Sequence, residues 1–450
     1  MGTITLQQAA AWCGGKIDPK YHGVTFCGAN NDTRKIAPGE LFLALKGVRD
    51  GHDFIPAALE KGAAAVLCTH CDGDYPAIVV EDVRVALGQI AKRERQRLGC
   101  KVVAITGSVG KSTTKEMIAT VLGSTYRVSK TPANHNNDIG LPMAVLAMPE
   151  DTQVAVLEMG MNHFGELSYL TDIAQPNVAV IINIGTMHIE NLGSVDGILQ
   201  AKLEILEGLQ PGGSVIFNGD DPKLWKLHEQ MPETVYFGAE NARSKVLAGN
   251  IRENETICYD VLQPVEFSVE LPLQGEHYIP DSLAAIAVGL ELGVKPADIA
   301  MSLGTFQNMA GRQEEFRAGE YTIIKDCYNA GPESMAAALA VLSKKTGRRV
   351  AVLGEMLELG ACTAAEHYKV GRLAAERADM VLAYGPSSDR VLKGAITGGM
   401  PDTRVKAYED REKLIAALKQ LAKPGDVFLF KGSHGMHMEL ILEAFLREEK

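Results

Sequence analysis

The stretch KVVAITGSVGKSTTK, residues 101–115, decides the fold of this 450-residue chain. Its apolar run at residues 102–105 predicts a buried strand, and apolar side chains at helical spacing follow the glycine loop at Met117, Ile118, Val121 and Leu122. A strand, a glycine loop and a helix start together form a phosphate cradle, because backbone N–H groups and the helix N-terminus face an anion. We therefore predict a nucleotide site in which Lys111 contacts the terminal phosphates and Ser112 binds Mg²⁺.

The cradle motif is incomplete at its start. The full pattern has a glycine where this chain has Ile105, so only the second half, T-G-S-x-G-K-S, is present. A glycine turn between a strand and a helix, carrying a surface lysine, is the alternative interpretation. The residues that we expect around the phosphates are Thr106, Gly107, Ser108, Val109, Gly110, Lys111, Ser112 and Thr113.

The bulk composition limits the possible functions. A chain of 450 residues is too long to fold around a single hydrophobic core, so several domains are expected. Its content of 46% hydrophobic and 22% charged residues is typical of a globular protein. The net charge of −11 argues against a nucleic-acid partner, since a phosphate backbone would be repelled. No apolar run is long enough to span a bilayer, and no signal segment is visible, so we expect a cytoplasmic protein without membrane insertion.

The cysteines fit the same compartment. Eight of them are scattered without the spacing of a disulfide framework, which is typical of a reducing environment. Cys68 and Cys71 resemble half of a zinc site, but no second pair follows at ligand spacing. A turn after the strand predicted at residues 64–67 is the favoured interpretation.

The pattern of elements predicts an α/β protein of three domains. Residues 1–82 form a small α/β N-terminal domain, residues 83–310 a central P-loop-type nucleotide-binding domain with a mostly parallel sheet, and residues 311–450 a Rossmann-like α/β domain. The last domain lacks a G-x-G-x-x-G fingerprint, so we predict no dinucleotide there. Within the central domain, residues 232–275 alternate in polarity and predict an antiparallel flap or side sheet.

Several polar residues outside the cradle are candidates for chemistry. Glu158 and His188 each follow a predicted parallel strand, where ligands of such sheets gather. Glu158 is therefore placed to hold Mg²⁺, or else it is a capping or surface residue. His188 is either a metal ligand or a structural hydrogen-bonding residue. Lys202, on a helical pattern, is by its local sequence an ordinary surface lysine.

Two loops and one strand end add polar groups. The loop at residues 131–142 is rich in asparagine and suits a polar ligand, while Asp326 and Asn329 end the first strand of the last domain. In the N-terminal domain, charged side chains crowd the loops and form either a solvated rim or an anion pocket. These residues are Asp32, Arg34, Lys46, Arg49 and His52.

With these residues in place, the chain resembles the Mur ligase family over essentially its whole length. Near the start, the resemblance is carried by D-T-R-x-x-x-P-G and by A-L-K-G followed by H-D-F. In the middle of the chain, it is carried by T-G-S-x-G-K-S-T-T-K, T-P-x-N-x-N-N-x-I-G-x-P, E-M-G and N-I-G-x-x-H. In the last third, it is carried by G-R, D-x-Y-N-A-x-P-x-S-M, L-G-E-M-x-E-L-G and F-K-G-S. The family carries the shortened glycine loop. The asparagine-rich loop and the last motifs resemble the members that use D-alanyl-D-alanine.

The resemblance implies an activity. It implies an ATP-dependent ligase that adds D-alanyl-D-alanine to UDP-N-acetylmuramoyl-tripeptide through an acyl phosphate, in peptidoglycan precursor synthesis. The N-terminal domain would bind the UDP-sugar, and the C-terminal domain would close over ATP and the amine substrate. The implied cofactors are ATP and two Mg²⁺ ions, and the protein is expected to be a monomer.

The resemblance also implies residue roles. Ser112 and Glu158 would hold one Mg²⁺, and His188 a second, with Lys202 carrying a carbamate. ATP would be contacted by Arg312, Asp326 and Asn329, and the nucleotide and sugar-peptide cleft would be lined by Asn134, Asn136 and Asn137. The UDP-linked substrate would be bound by Asp32, Arg34, Lys46, Gly47 and His52, and the dipeptide by Lys431 and Ser433.

The chain departs from the family pattern at a few positions. Tyr278 and Asp281 stand where the family has Asn, which puts the adenine contacts in question. His135 replaces an apolar residue, and His434 stands where many relatives have Arg. The alternatives are an amide ligase with a single amino acid or a folate-like acceptor, and a non-catalytic nucleotide-binding protein.

Overall fold

The computed structural model describes residues 3–447 and confirms the α/β class, with separate sheets along the chain. In the first unit, a parallel sheet has the order β3-β4-β5-β6, and β1 pairs with β2 in antiparallel fashion. The strands are β1 (Ile4–Thr5), β2 (Thr25–Phe26), β3 (Ala29–Asn30), β4 (Leu41–Leu43), β5 (Ala65–Cys68) and β6 (Ala77–Val79). The helices are α1 (Leu6–Cys13) and α2 (Ile55–Glu60), and α3 (Val83–Leu98) follows as the connection to the central unit.

The central unit is built on one sheet of order β15-β14-β13-β12-β11-β10-β7-β9-β8. Its strands are β7 (Lys101–Thr106), β8 (Val128–Lys130), β9 (Val154–Glu158), β10 (Val178–Ile181), β11 (Ser214–Asn218), β12 (Val235–Gly238), β13 (Val246–Glu253), β14 (Ile257–Gln263) and β15 (Phe267–Leu271). Its helices are α4 (Lys111–Gly123), α5 (Gly140–Leu146), α6 (Glu166–Ala174), α7 (Ile189–Leu192), α8 (Val195–Leu203), α9 (Pro222–Trp225), α10 (Tyr278–Glu291) and α11 (Pro296–Gly304).

Burial on both faces explains why β7 is a continuous apolar run. Val102 and Ala104 pack into one core, and Val103 and Ile105 pack into the core on the opposite face. Each of the valine and isoleucine side chains contributes about 1.5–3 kcal/mol relative to an exposed one. The chain order reverses at β7, which lies between β9 and β10, so the glycine loop sits at a topological switch point.

The third unit repeats the doubly wound plan with the order β16-β17-β21-β18-β19-β20. Its strands are β16 (Glu314–Ala318), β17 (Tyr321–Asp326), β18 (Arg349–Leu353), β19 (Met380–Tyr384), β20 (Val405–Tyr408) and β21 (Val427–Lys431). Its helices are α12 (Pro332–Ser343), α13 (Thr363–Arg377), α14 (Ser388–Thr397), α15 (Arg411–Leu421) and α16 (Met438–Leu446). All neighbours are parallel except β16 and β17.

The structure refines several predicted elements. The antiparallel strands predicted at residues 232–275 exist as β13–β15, but they extend the central sheet through the parallel strand β12 rather than forming a separate one. The end of the asparagine-rich loop is already helical, because α5 begins at Gly140. Strands β16 and β20 were not predicted, since β16 has exposed and half-buried residues and reads as a polar segment.

Helix α3 joins the first unit to the central one. Its apolar residues share a core with side chains of both units, and its Arg95 side chain is buried. Arg95 Nε donates to the Ala174 carbonyl at 2.7 Å and Nη2 donates to the Gln175 carbonyl at 2.6 Å, which satisfies the C-terminal end of α6. No helix within residues 3–447 has the length and apolar character needed to cross a membrane.

Replacing Arg95 is expected to destabilise the protein. Arg95→Ala leaves the buried Ala174 carbonyl and the partly buried Gln175 carbonyl without their Arg95 donors, which costs about 2–3 kcal/mol. Arg93→Ala on the same helix, at an exposed site, is the control and should change stability by less than about 0.5 kcal/mol. Thermal unfolding monitored by circular dichroism checks both variants; equal melting temperatures would contradict the role assigned to Arg95.

Candidate active site

A cavity of about 1140 Å³ lies where the carboxyl ends of the central parallel strands face the third unit. The predicted residues that line it are Ser108, Val109, Gly110, Lys111, Ser112, Thr113, Asn136, Asn137, Glu158, His188, Arg312, Asp326, Asn329 and Lys431. The predicted residues outside its walls are Thr106, Gly107, Asn134, Lys202 and Ser433, together with the candidates of the first unit. The structure therefore brings most of the central and third-unit candidates into one space.

The glycine loop joins β7 to α4 as the sequence predicts. Gly110 adopts φ +84°, and a Cβ at this position would lie 2.5 Å from Asp281 Oδ1, so a glycine is required there. Lys111 Nζ donates to the carbonyls of Gly107 at 2.7 Å and Ser108 at 3.3 Å. The ammonium is thus held over the loop beside the first turn of α4, whose N–H groups have no partner inside the helix.

Asn183 holds the glycine loop in shape, and sequence reasoning did not identify its role. Its Oδ1 accepts from the backbone N–H groups of Ser108 and Val109, both at 2.9 Å, and its Nδ2 donates to the Val109 carbonyl at 2.9 Å. The residue follows β10, the neighbour of β7. The N-I-G-x-x-H motif contained this residue, but only the fold shows that its amide faces the loop.

Glu158 is placed to hold a cation. It is buried at the end of β9, where Oε1 accepts from Asn136 Nδ2 at 2.9 Å. Its Oε2 is also buried, and no hydrogen-bond donor within residues 3–447 reaches it. The buried Lys115 ammonium, whose role sequence reasoning missed, lies 3.8 Å from Oε2. A free carboxylate oxygen and the Ser112 hydroxyl lining the same cavity are ligand types that suit Mg²⁺.

His188 faces the third unit across the cavity. Its backbone is left-handed, with φ +65°, and its Nδ1 lies 2.5 Å from Glu358 Oε2. The His188 ring lowers the pKa of the Glu358 carboxyl. With Nδ1 facing Glu358, Nε2 is the ring nitrogen that remains for a ligand.

Lys202 lies behind the cradle rather than on the surface, so the ordinary surface position that its local sequence favoured is wrong. The side chain is only 2% exposed. Burial, followed by the positive charge of Lys111, moves its pKa well below the ordinary value. A neutral amine at this site can react with carbon dioxide, which a protonated one cannot do.

Arg312 connects the third unit to the cradle. Its Nη2 donates to Ser112 Oγ at 2.8 Å, and its guanidinium lies 4.0 Å from the centre of the Tyr328 ring. Asp326, at the end of β17, is buried and accepts from Lys431 Nζ at 2.7 Å. The Lys431 ammonium is therefore engaged inside the third unit, and it also donates to the Asn329 carbonyl at 3.0 Å.

Ser433 and the asparagines have structural partners of their own. Ser433 Oγ accepts from the Leu357 N–H at 3.0 Å. Asn137 Oδ1 accepts from the Gly140 N–H at 2.8 Å at the start of α5, and the Asn134 carbonyl accepts from the Asn136 N–H at 2.8 Å. Their expected substrate contacts stay predictions.

The first-unit candidates lie away from the large cavity. Arg34 and Asp32 form a two-pronged ion pair at 2.8 and 2.9 Å, which lowers the pKa of the Asp32 carboxyl to about 2. His52 has both ring nitrogens engaged, Nδ1 at 2.6 Å from Asp50 Oδ1 and Nε2 accepting from the Thr69 N–H at 3.1 Å. Lys46 and Gly47 belong to the turn before Asp50. Binding of the UDP-sugar by these residues stays a prediction.

The two departures on α10 have clear surroundings. The Tyr278 hydroxyl donates to Gln313 Oε1 at 3.2 Å and accepts from Asn308 Nδ2 at 2.7 Å, so it fixes the link to the third unit. Burial raises the pKa of the Asp281 carboxyl to about 8, while Thr114 Oγ1 donates to it at 3.0 Å. A protonated carboxyl carries one donor and one acceptor side, as an asparagine amide does.

This fold and this cavity define a nucleotide-binding α/β protein whose site lies between the central sheet and the sheet of the third unit. The sequence matches the Mur ligase family catalytic domain at residues 20–95, the Mur ligase middle domain at residues 105–289 and the Mur ligase glutamate ligase domain at residues 311–434. The chain belongs to the Mur ligase family, and the resemblance read from its motifs is confirmed.

Similar proteins are known over the full length. The chain is 40% identical over 435 residues to the UDP-N-acetylmuramoyl-tripeptide–D-alanyl-D-alanine ligase of Bacillus subtilis, covering 95% of this chain and 94% of that protein. Its structure is similar to MurF from Acinetobacter baumannii, with a TM-score of 0.91, 33% identity and 100% of both chains covered. It is also similar to the MurF ligase from Thermotoga maritima in complex with ADP, with a TM-score of 0.81, 28% identity, and 93% and 97% of the chains covered.

The raised pKa of Asp281 predicts a pH-dependent stability difference. Between about pH 4 and pH 8 the folded protein keeps a proton that the unfolded chain has released, so stability falls as pH rises. Asp281→Asn removes this titration, so its stability relative to the wild type should rise by up to about 1.4 kcal/mol per pH unit over this window and level off above it.

Melting temperatures measured from pH 5 to pH 9 check this prediction. Asp402→Asn, at an exposed position of the third unit, is the control and should follow the wild type throughout. A pH-independent difference between Asp281→Asn and the wild type would show that Asp281 does not hold a proton in the folded protein.

Proposed function

We propose that this protein is an ATP-dependent amide ligase that joins D-alanyl-D-alanine to UDP-N-acetylmuramoyl-tripeptide in peptidoglycan precursor synthesis. The observation that carries the proposal is the meeting of a phosphate cradle, a buried carboxylate with a free oxygen and the edge of a second α/β unit in one cavity. The full-length similarity to proteins named for this reaction supports the choice of substrates.

The first step joins two anions. The peptide carboxylate attacks the γ-phosphorus of ATP, forms an acyl phosphate and releases ADP. Lys111 and the first-turn N–H groups of α4 would bind the terminal phosphates, and Arg312, already bonded to Ser112, adds a positive charge beside them. This local charge offsets the repulsion between the reactants, even though the whole chain has a net charge of −11.

Two positions fit a metal ion by their donor atoms. Glu158 Oε2 and the Ser112 hydroxyl would hold Mg²⁺, which when bound neutralises phosphate charge. His188 would offer Nε2 at a second position. Lys202 would contribute there after its neutral amine adds to carbon dioxide, which forms a carbamate and releases one proton.

The second step makes the amide. The amine of D-alanyl-D-alanine attacks the acyl carbon, and the tetrahedral intermediate expels phosphate. Asp326 and Asn329 line the third-unit wall of the cavity, so they would contact ATP when the units are docked. The loops around Asp32 and Lys46 would anchor the UDP end of the acceptor. We expect the enzyme to act as a monomer in the cytoplasm.

Phosphate release tests the proposal directly. The protein is incubated with ATP, Mg²⁺ and UDP-N-acetylmuramoyl-tripeptide, and then with D-alanyl-D-alanine or with single amino acids. We expect phosphate only when the dipeptide is present. Release with a single amino acid alone would assign a different amide ligase, and no release with any acceptor would favour a non-catalytic nucleotide-binding protein.

Lys111→Ala should abolish turnover and leave the fold intact, because the terminal phosphates lose their ammonium partner. A loss of at least about 100-fold in kcat/KM is expected. Lys101→Ala, at an exposed position at the start of β7, is the control and should keep full activity. Unchanged turnover in Lys111→Ala would rule out the cradle as the phosphate site.

Lys202→Ala should lose activity that short-chain carboxylic acids partly restore, because such an acid replaces the carbamate oxygens. The modification itself can be observed by carbon NMR after equilibration with labelled bicarbonate, in the wild type but not in the variant. If Lys202 stays unmodified under turnover conditions, the carbamate assignment fails, while the cradle assignment is unaffected.

A further inference from the structure

Glu358 of the third unit reaches His188 of the central unit. The 354–360 loop, between β18 and α13, places Glu358 Oε2 at 2.5 Å from His188 Nδ1. That nitrogen is buried, and over residues 3–447 it makes no hydrogen bond of acceptable angle, the contact with Glu358 included. A buried polar nitrogen needs a partner, and a carboxylate at this distance can accept its proton after a small rotation of either side chain. Both residues have left-handed backbones, with φ +63° at Glu358 and φ +65° at His188.

The 354–360 loop is fixed by its own hydrogen bonds. The Met356 N–H donates to His367 Nε2 at 3.0 Å, and the Leu357 N–H donates to Ser433 Oγ at 3.0 Å. These bonds flank Glu358 on its N-terminal side and tie it to α13 and to the segment after β21. The Glu358 carboxylate is therefore held in a fixed position relative to the rest of the third unit.

The loop that carries His188 is held by the third unit at other points as well. Glu333 Oε1 accepts from the Thr186 N–H at 2.9 Å and from Thr186 Oγ1 at 3.1 Å. A Cβ on Gly360 would lie 3.0 Å from Glu190 Cβ, so this approach depends on a glycine. The contact between Glu358 and His188 is thus part of a docked surface between the two units.

We propose that Glu358 is a positioning residue for amide ligation, which accepts the Nδ1 proton of His188 and leaves Nε2 as the acceptor atom facing the cavity. A neutral imidazole has one donor and one acceptor nitrogen, and the hydrogen bond at one nitrogen sets the role of the other. Because Glu358 lies on the third unit, the correct His188 tautomer is secured only when that unit is docked. The inference rests on the proposed function.

A structural contact without this role is the competing explanation. Glu358 is 47% exposed, and a solvated ion pair contributes little to stability. The experiment must therefore read the His188 ring itself as well as turnover. The full-length variants are Glu358→Ala, Glu358→Gln and, as a matched control, Glu376→Gln at an exposed site on α13.

Nitrogen NMR of the histidine rings, with His188 assigned from a His188→Gln spectrum, gives the tautomer. Turnover gives kcat and KM. In Glu358→Ala we expect the His188 proton to move to Nε2 and kcat to fall about 10–100-fold, with KM for ATP within about twofold of the wild type. Glu358→Gln, whose carbonyl can still accept the Nδ1 proton, should keep part of the wild-type tautomer population and part of kcat. Glu376→Gln should match the wild type in both measurements.

Each arm has a result that overturns the inference. An unchanged His188 tautomer in Glu358→Ala overturns it, whatever the activity. A changed tautomer with wild-type kcat also overturns it, since the positioning then has no effect on the reaction. Absence of phosphate release by the wild type overturns the proposed function instead, and the tautomer measurement still shows whether Glu358 orients His188.

Discussion

The rest of the site depends on the hydrogen bonds that the side-chain amide of Asn183 makes to the glycine loop. The amide binds the N–H groups of Ser108 and Val109 and so ties the loop after β7 to the segment after β10. The same segment contains Thr186, which donates to Glu333, and His188, which contacts Glu358. One amide therefore links the shape of the phosphate cradle to the docking of the third unit.

The polarity of the sheets explains why the site forms at this edge. Parallel strands place all their carboxyl ends on one side, and the order β10-β7-β9 puts the cradle, Glu158 and the Asn183 segment next to one another. The third unit does the same with Asp326 at the end of β17 and Lys431 at the end of β21, which are paired residues in the sheet. The cavity is the space between these two edges.

Much of this arrangement could be predicted from the sequence, because local patterns carry it. The cradle, the parallel strands and Glu158 at a strand end follow from apolar runs and glycine spacing. The burial of Lys202 and Lys115 could not be predicted, since a lysine on a helical pattern is usually exposed and only tertiary packing hides it. The contact of Glu358 with His188 joins residues 170 positions apart, and no local pattern contains it.

Environment, rather than residue type, decides what each carboxyl of the site can do. Asp281 is enclosed by protein, which raises the pKa of its carboxyl to about 8, so near neutral pH it offers one donor and one acceptor as an amide does. Glu358 is beside an imidazole that favours its charged form, and it can therefore accept a proton in a hydrogen bond. Glu158 keeps one oxygen free beside a buried ammonium, as a cation ligand requires. Burial therefore keeps Asp281 uncharged beside the glycine loop at Gly110, where a negative charge would repel a phosphate.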